Sequence, residues 1–222
     1  MKALLISVNY EVGVEIPLPL GLACVAAATE KAGHGVLLLA ATSATGWESA
    51  IRERIGEFRP DVIGISVRNI DDQNMQAPHF FLELLRKVVS VCRSASRATV
   101  VLGGAGYSVF PESALMYLGA DMGIQGEGEV VFPALLSWVE HGAQEDAPRS
   151  LHLPGRSPTG RGFAQNLDAL PMPEPRLGCI PTITPAYGFQ SRAGEDVPWT
   201  VFTARPVRLK GDQSANAHPN WS

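Results

Sequence analysis

The chain has 222 residues, of which 45% are hydrophobic and 18% are charged, and its formal net charge is −4. This composition is typical of a water-soluble globular protein with one sizeable core. The acidic balance and the lack of a Lys/Arg cluster argue against nucleic acid or an anionic membrane as partner, because both are bound largely through basic patches. A small molecule, a cofactor or another protein is therefore the expected partner.

The beginning of the chain and its cysteines indicate a cytoplasmic location. No apolar run approaches the roughly 20 residues of a membrane span, and MKALLISVN lacks the basic flank and cleavage site of a signal peptide. Cys24, Cys92 and Cys179 lie far apart and without metal-ligand spacing. We expect them to be reduced thiols, with the first two simply packing.

Apolar runs of strand length alternate with amphipathic segments along the first two thirds of the chain. Strands are predicted at 2–8, 36–40, 62–67, 98–103 and 122–125. The helices between and after them are predicted at 18–31, 47–58, 78–92, 112–118 and 129–141. Right-handed crossovers then predict an α/β fold, a flavodoxin-like or Rossmann-like doubly wound sheet of five parallel strands in the order 2-1-3-4-5.

The composition changes near Pro148, since 11 of the 17 prolines lie in residues 148–222. Proline fixes φ and removes a backbone donor, which favours an extended surface path over a second core. The sequence therefore predicts a domain at 1–145 and a Pro-rich linker at 146–192. The remaining tail at 193–222 is expected to be disordered or a truncated reading.

Two neighbouring strands of the predicted sheet open directly into glycine-rich loops. Gly103, Gly104 and Gly106 follow strand four, and Gly126 and Gly128 follow strand five. Ligands of open α/β sheets bind at the carboxyl ends of the strands, where glycine lets the backbone come close to a large group. The loops predict a cofactor site at this edge; the alternative is that the glycines only make tight turns.

Three segments together resemble the N-terminal cobalamin-binding domain of B12-dependent radical SAM (S-adenosylmethionine) enzymes. They are GISVRNID at 64–71, VLGGAGYSVFPE at 101–112, and ADMGIQGEGE at 120–129 with Phe132 and Leu135 after it. The resemblance covers roughly residues 1–142 and implies a corrinoid over the carboxyl edge, its nucleotide tail beside the strand-four and strand-five loops. The cofactor-binding residues it suggests are Asn9, Tyr10, Ser66, Val67, Arg68, Asn69, Gly103, Gly104, Ala105, Gly106, Tyr107, Gln125, Gly126, Glu127, Gly128 and Glu129.

The chain departs from many cobalamin domains in lacking a DxHxxG histidine after strand one. The resemblance then implies cobalamin bound base-off, without a histidine ligand to cobalt. Arg68, at the end of strand three, has two interpretations. It could line the lower face of the corrin, or it could pair with Asp71 or Asp72 to order its loop.

The CxxxCxxC triplet of radical SAM enzymes is also absent, so no [4Fe–4S] cluster is expected in this chain. No acid–base or nucleophilic constellation accompanies Glu127 and Glu129, which are expected to accept amide protons and to open the last helix. The resemblance therefore implies a cobalamin module that is not catalytic alone and serves a radical SAM domain or partner protein in methyl transfer or related chemistry.

Three other interpretations stay open at this point. A flavodoxin-like module binding FMN or another nucleotide would need a hydroxyl-rich phosphate loop after strand one, where VNYEVGVEIPLP offers few hydroxyls. A phosphoacceptor receiver would need acidic residues where Asn9 and Arg68 stand and a lysine where Gln125 stands. The last alternative is a gene fragment that folds and binds nothing.

Overall fold

Six strands form one sheet in the computed structural model, which describes residues 1–8, 19–41, 46–72, 74–144, 146–160 and 162–173. The strands run in the spatial order β2-β1-β3-β4-β5-β6, with β6 antiparallel to β5 and the others parallel. Their bounds are β1 Lys2–Val8, β2 Gly35–Ala41, β3 Val62–Ser66, β4 Thr99–Gly103, β5 Met122–Ile124 and β6 Leu151–His152.

Helices cover both faces of the sheet, which is why its central strands read as nearly continuous apolar runs. The helices are α1 Leu20–Lys31, α2 Trp47–Phe58, α3 Leu82–Ala95, α4 Ala105–Val109, α5 Pro111–Leu118 and α6 Gly128–Glu140. One core packs side chains of α2, α3 and α5 against β1, β3 and β4. The other packs α1 and α6 on the opposite face of the sheet, where Phe132 and Leu135 are buried.

The predicted fold class and the order of the five parallel strands are confirmed. The helix predicted from Pro78 begins instead at Leu82. A side chain competes with the helix here, because the Asp72 carboxylate accepts hydrogen bonds from the backbone N–H groups of His79 at 3.0 Å and Asn74 at 3.1 Å. The short helix α4, within the predicted glycine loop, is a further difference.

The sheet extends beyond the predicted domain boundary at residue 145. β6 lies in the predicted linker and pairs His152 with Gly123 and Leu151 with Ile124. Residues 174–192 of that linker, with Cys179, and the tail at 193–222 lie outside the described residues. Within the part of the chain that the structure describes, no helix combines the length and apolar character needed to cross a membrane.

Candidate functional site

A row of small residues crosses the carboxyl edge of the sheet on the face covered by α1 and α6. Ser7 of β1 stands in register with Ala40 of β2 and with Ser66 of β3, and Ser66 stands in register with Gly103 of β4. We call these four residues the small-residue row. Two residues deeper on the same face stand the larger side chains of Leu5, Leu38 and Val101, and the side chains of Leu5 and Phe132 fill the space over Gly64 of β3. Side chains alternate between the two faces of a sheet, so these four residues lie on one face. They leave a thin layer of side chains along the carboxyl edge of that face.

Two glycines leave open space beside this row. A Cβ on Gly103 would meet no atom of the described residues closer than the carbonyl oxygen of Ile124, at 4.0 Å. A Cβ on Gly126 would meet none within 4 Å, and φ there is +95°. The described residues therefore leave space for an added Cβ at both positions where β4 and β5 end.

Gly104 and Gly106 are required by the packing of the chain itself. A Cβ on Gly104 would lie 2.7 Å from the carbonyl oxygen of Val67, and one on Gly106 would lie 3.1 Å from backbone atoms of the same loop. The N–H of Gly106 donates to the carbonyl oxygens of Val67 at 2.9 Å and Arg68 at 3.0 Å. These glycines let the loop after β4 pack on the loop after β3, and the expectation that they also line the path of a ligand stays a prediction.

Gly128 follows the same rule at the start of α6. A Cβ there would lie 2.8 Å from Cγ2 of Val25. The missing side chain lets α6 approach α1 closely, as their shared core requires. Helix packing accounts for this glycine.

A chain of hydrogen bonds joins the two glycine loops to β6. The Ser108 hydroxyl donates to the carbonyl oxygen of Gly104 at 2.9 Å and accepts from the N–H of Gly126 at 2.9 Å. Nε2 of Gln125 donates to the carbonyl oxygen of Ser108 at 3.1 Å. Oε1 of Gln125 lies 3.2 Å from Nε2 of His152, which is buried in β6.

The two glutamates of the second glycine loop have different surroundings. Oε2 of Glu127 accepts a hydrogen bond of 2.5 Å from the N–H of Ala164, in the segment after β6. Glu129 lies in the first turn of α6, where a carboxylate interacts favourably with the helix dipole. Glu127 thus accepts an amide proton and Glu129 lies in the first turn of the last helix, while their expected contact with a cofactor stays a prediction.

The Tyr107 side chain is fully buried, although the sequence suggested that it contacts the cofactor. Its ring makes an edge-on contact with His152, with 6.2 Å between the ring centroids, and a Cβ on Gly123 would overlap it. The hydroxyl has no hydrogen-bond partner among the described residues. Burial raises the pKa of Tyr107. The side chain therefore belongs to the core beneath the glycine loops, and Val67 is likewise buried.

Tyr107→Phe tests this placement. A buried hydroxyl without a partner carries a desolvation cost, so we expect the free energy of unfolding in urea to stay equal or to rise by about 1 kcal/mol. The corrinoid binding that the resemblance implies should not change, because the ring stays in place. A fall in stability of about 1 kcal/mol or more would show that the hydroxyl has a partner.

Arg68 and Asn69 lie just beyond β3 at the same edge. Arg68 is exposed, and the ion pairs of the described part of the chain do not include it. The suggested pairing of Arg68 with Asp71 or Asp72 is therefore not seen there; the Asp72 carboxylate bonds backbone N–H groups instead, which lowers its pKa. The described residues contain no group of three His, Cys, Asp or Glu side chains suited to a metal. Asn9 and Tyr10 lie outside the described residues.

Sequence reasoning missed Ser7 and Ala40. Both complete the row because parallel pairing brings them level with Ser66 and Gly103. The available signal was a small residue at the last position facing α1 and α6 in each of four consecutive strands. Recognising this signal requires the register between the strands, which cannot be deduced from each strand's sequence alone.

A family model described as the B12 binding domain matches residues 7–136, from the end of β1 into α6. The chain belongs to the B12-binding domain family. Cobalamin is the cofactor that this family binds, and the open edge beside the small-residue row lies within the matched region. The doubly wound sheet agrees with this assignment.

This B12-binding domain is similar to part of several larger proteins. Tryptophan 2-C-methyltransferase from Streptomyces laurentii is 28% identical over 109 residues, which are 49% of this chain and 18% of that protein. The structure of the radical SAM methyltransferase TsrM from Kitasatospora setae with tryptophan and aza-SAM bound is 27% identical, with a TM-score of 0.64 over 72% of this chain and 31% of that one. The TsrM structure with cobalamin and a [4Fe–4S] cluster is 28% identical, with a TM-score of 0.61 over 68% and 26%.

The fold is also shared with a protein of lower sequence identity. The cobalamin-dependent radical SAM enzyme OxsB, in its apo form, is 16% identical with a TM-score of 0.62, covering 78% of this chain and 24% of that one. At that identity the likeness concerns the fold. The chain spans less than a third of the length of each of these relatives.

Proposed function

We propose that this chain holds cobalamin without a histidine ligand to cobalt, for methyl transfer carried out with a radical SAM domain or protein outside this sequence. The observation that carries the proposal is the small-residue row, with open space at Gly103 and Gly126 beside it. When bound, the corrinoid would supply a cobalt centre able to carry a methyl group. The residues of the chain bind and orient it.

The side chains and backbone groups at the carboxyl edge suit a ligand rich in amides. The Ser66 hydroxyl is half-buried and forms no hydrogen bond with another described residue, which leaves a donor and acceptor for the ligand. Asn69 adds an amide at the same edge, and Ala105 is exposed at the start of α4. Val67, Gly104, Gly106 and Tyr107 act by shaping the two loops.

The proposed lack of a histidine ligand rests on the sequence after β1 and on the placement of two of the five histidines, His34 and His152. The sequence after β1, residues 9–18, contains none. His152 is buried in β6 and bonded to Gln125. His34 is buried beside the amino end of β1, with Nδ1 at 3.3 Å from the Met1 nitrogen. Arg68 is proposed to face the lower side of the corrin, since its guanidinium stays charged and is a poor metal ligand.

The test is to mix the protein with hydroxocobalamin, remove free corrinoid by desalting, and quantify what remains. We expect retention close to one equivalent. After reduction to Co(II), the electron paramagnetic resonance spectrum should lack the nitrogen splitting that an axial imidazole or benzimidazole produces. A cooperatively folded protein that retains no corrinoid would overturn the proposal, and nitrogen splitting would overturn the base-off assignment.

Arg68→Ala examines the lower face separately. Loss of a nearby positive charge should shift the Co(II)/Co(I) potential of the bound corrinoid to more negative values, because the cation favours the reduced metal. Arg97→Ala is the matched control, since Arg97 is exposed before the first residue of β4, at the opposite edge. Equal potentials in the two variants would remove Arg68 from the lower face.

A further inference from the structure

We propose that Ser108 is a positioning residue that sets the spacing of the two glycine loops around the corrinoid, and that β6 supports it through Gln125. The inference rests on the proposed function and adds residues that do not touch the ligand themselves. It also places the segment after residue 145 within the cofactor-holding unit.

Ser108 links the loops through one oxygen atom. Its O–H donates to the carbonyl oxygen of Gly104, and the same oxygen accepts a hydrogen bond from the N–H of Gly126. A Cβ on Gly126 would meet no described atom within 4 Å, so close packing on that side of the residue does not hold it in place. The hydrogen bond to Ser108 is therefore a main restraint on the loop that ends β5.

Gln125 holds Ser108 from the other side. Since Nε2 donates to the carbonyl oxygen of Ser108, Oε1 is the acceptor and Nε2 of His152 is the donor. Burial lowers the pKa of His152, which favours this neutral ring at neutral pH. The backbone N–H of Gln125 also donates to the carbonyl oxygen of Ser150 at 3.0 Å. Each of these groups of Gln125 is thus hydrogen-bonded either to Ser108 of α4 or to the segment around β6.

The segment around β6 holds the second glycine loop at both ends. The Ser150 hydroxyl accepts a hydrogen bond of 2.6 Å from the N–H of Gly162. The backbone N–H of Ser150 donates to the carbonyl oxygen of Gly160 at 2.7 Å. Two residues later in the chain, the N–H of Ala164 is bonded to Glu127. Gln125 and Glu127 flank Gly126, so the segment from Ser150 to Ala164 anchors both neighbours of the open glycine.

The first test compares Ser108→Ala with Ser94→Ala. Ser94 is the matched control because its hydroxyl also donates to a backbone carbonyl on its own helix, that of Val91 at 2.8 Å, on α3 away from the glycine loops. In Ser108→Ala we expect about tenfold weaker hydroxocobalamin binding, as for one lost hydrogen bond. Without ligand, the Gly126 amide should exchange its hydrogen about tenfold faster. The Gly119 amide, bonded to Leu115, should be unaffected.

His152→Phe gives a second, independent test, because the buried ring remains beside Tyr107 while the donor to Gln125 is lost. We expect binding to weaken about two- to tenfold. Wild-type affinity in both Ser108→Ala and His152→Phe would overturn the inference. If the wild-type protein itself binds no hydroxocobalamin, the proposed function has failed; unchanged Gly126 exchange in Ser108→Ala would instead show that Ser108 does not hold the loop.

Discussion

Gly103→Val is expected to abolish corrinoid retention and leave the domain folded. Gly103 ends β4 in the small-residue row, and a Cβ there would have as its nearest described neighbour the carbonyl oxygen of Ile124, at 4.0 Å. The strand therefore has space for the Cβ, and we expect the branched side chain to occupy the space proposed for the ligand. Affinity for hydroxocobalamin should fall by about a hundredfold or more, or about 2.7 kcal/mol. Equilibrium dialysis and urea unfolding of the same preparations measure both quantities.

Gly35→Val is the matched control for this experiment. Gly35 begins β2 at the opposite edge of the sheet, and a Cβ there would make only ordinary contacts, 3.8 Å from Cγ of Lys2 and 3.9 Å from the carbonyl oxygen of Met1. It tests the effect of valine in a strand away from the site. Wild-type affinity in Gly103→Val would exclude the small-residue row as the place where the corrinoid enters.

Gly104→Ala, one residue further along, should instead destabilise the protein. Its φ of +99° and ψ of 174° belong to a region that is essentially restricted to glycine. The added Cβ would also lie 2.7 Å from the carbonyl oxygen of Val67, a backbone atom that cannot rotate away. We expect the free energy of unfolding to fall by about 3 kcal/mol or more, measured by urea denaturation.

Gly33→Ala separates the two causes. Gly33 also has a positive φ, +89°, but a Cβ there would meet no described atom within 4 Å. We expect Gly33→Ala to lower the free energy of unfolding by about 1–2 kcal/mol, because it introduces backbone strain without a steric clash. Equal losses in Gly33→Ala and Gly104→Ala would contradict the close packing of the loops after β3 and β4.

Much of the fold could be predicted because its signals are local. Five apolar runs separated by amphipathic segments leave few ways to build a parallel sheet, and the right-handed crossover rule selects among them. β6 gave no such signal, since two residues are too short for a pattern and their pairing with β5 depends on contacts distant in sequence. The start of α3 was displaced by the Asp72 side chain, which bonds backbone groups in the loop before it.

For the site, the sequence by itself determined that glycines and polar residues follow the strands at one edge, and which family they resemble. Only the tertiary structure separated Gly103, beside open space, from Gly104, which packs on a neighbouring backbone. It also placed the Tyr107 side chain in the core and brought Ser7 and Ala40 into line with Ser66. The physical reason is that a residue type, such as glycine, shows only that a position suits a small side chain. Strand register and packing between distant segments decide whether that residue contacts solvent, a ligand or another part of the chain.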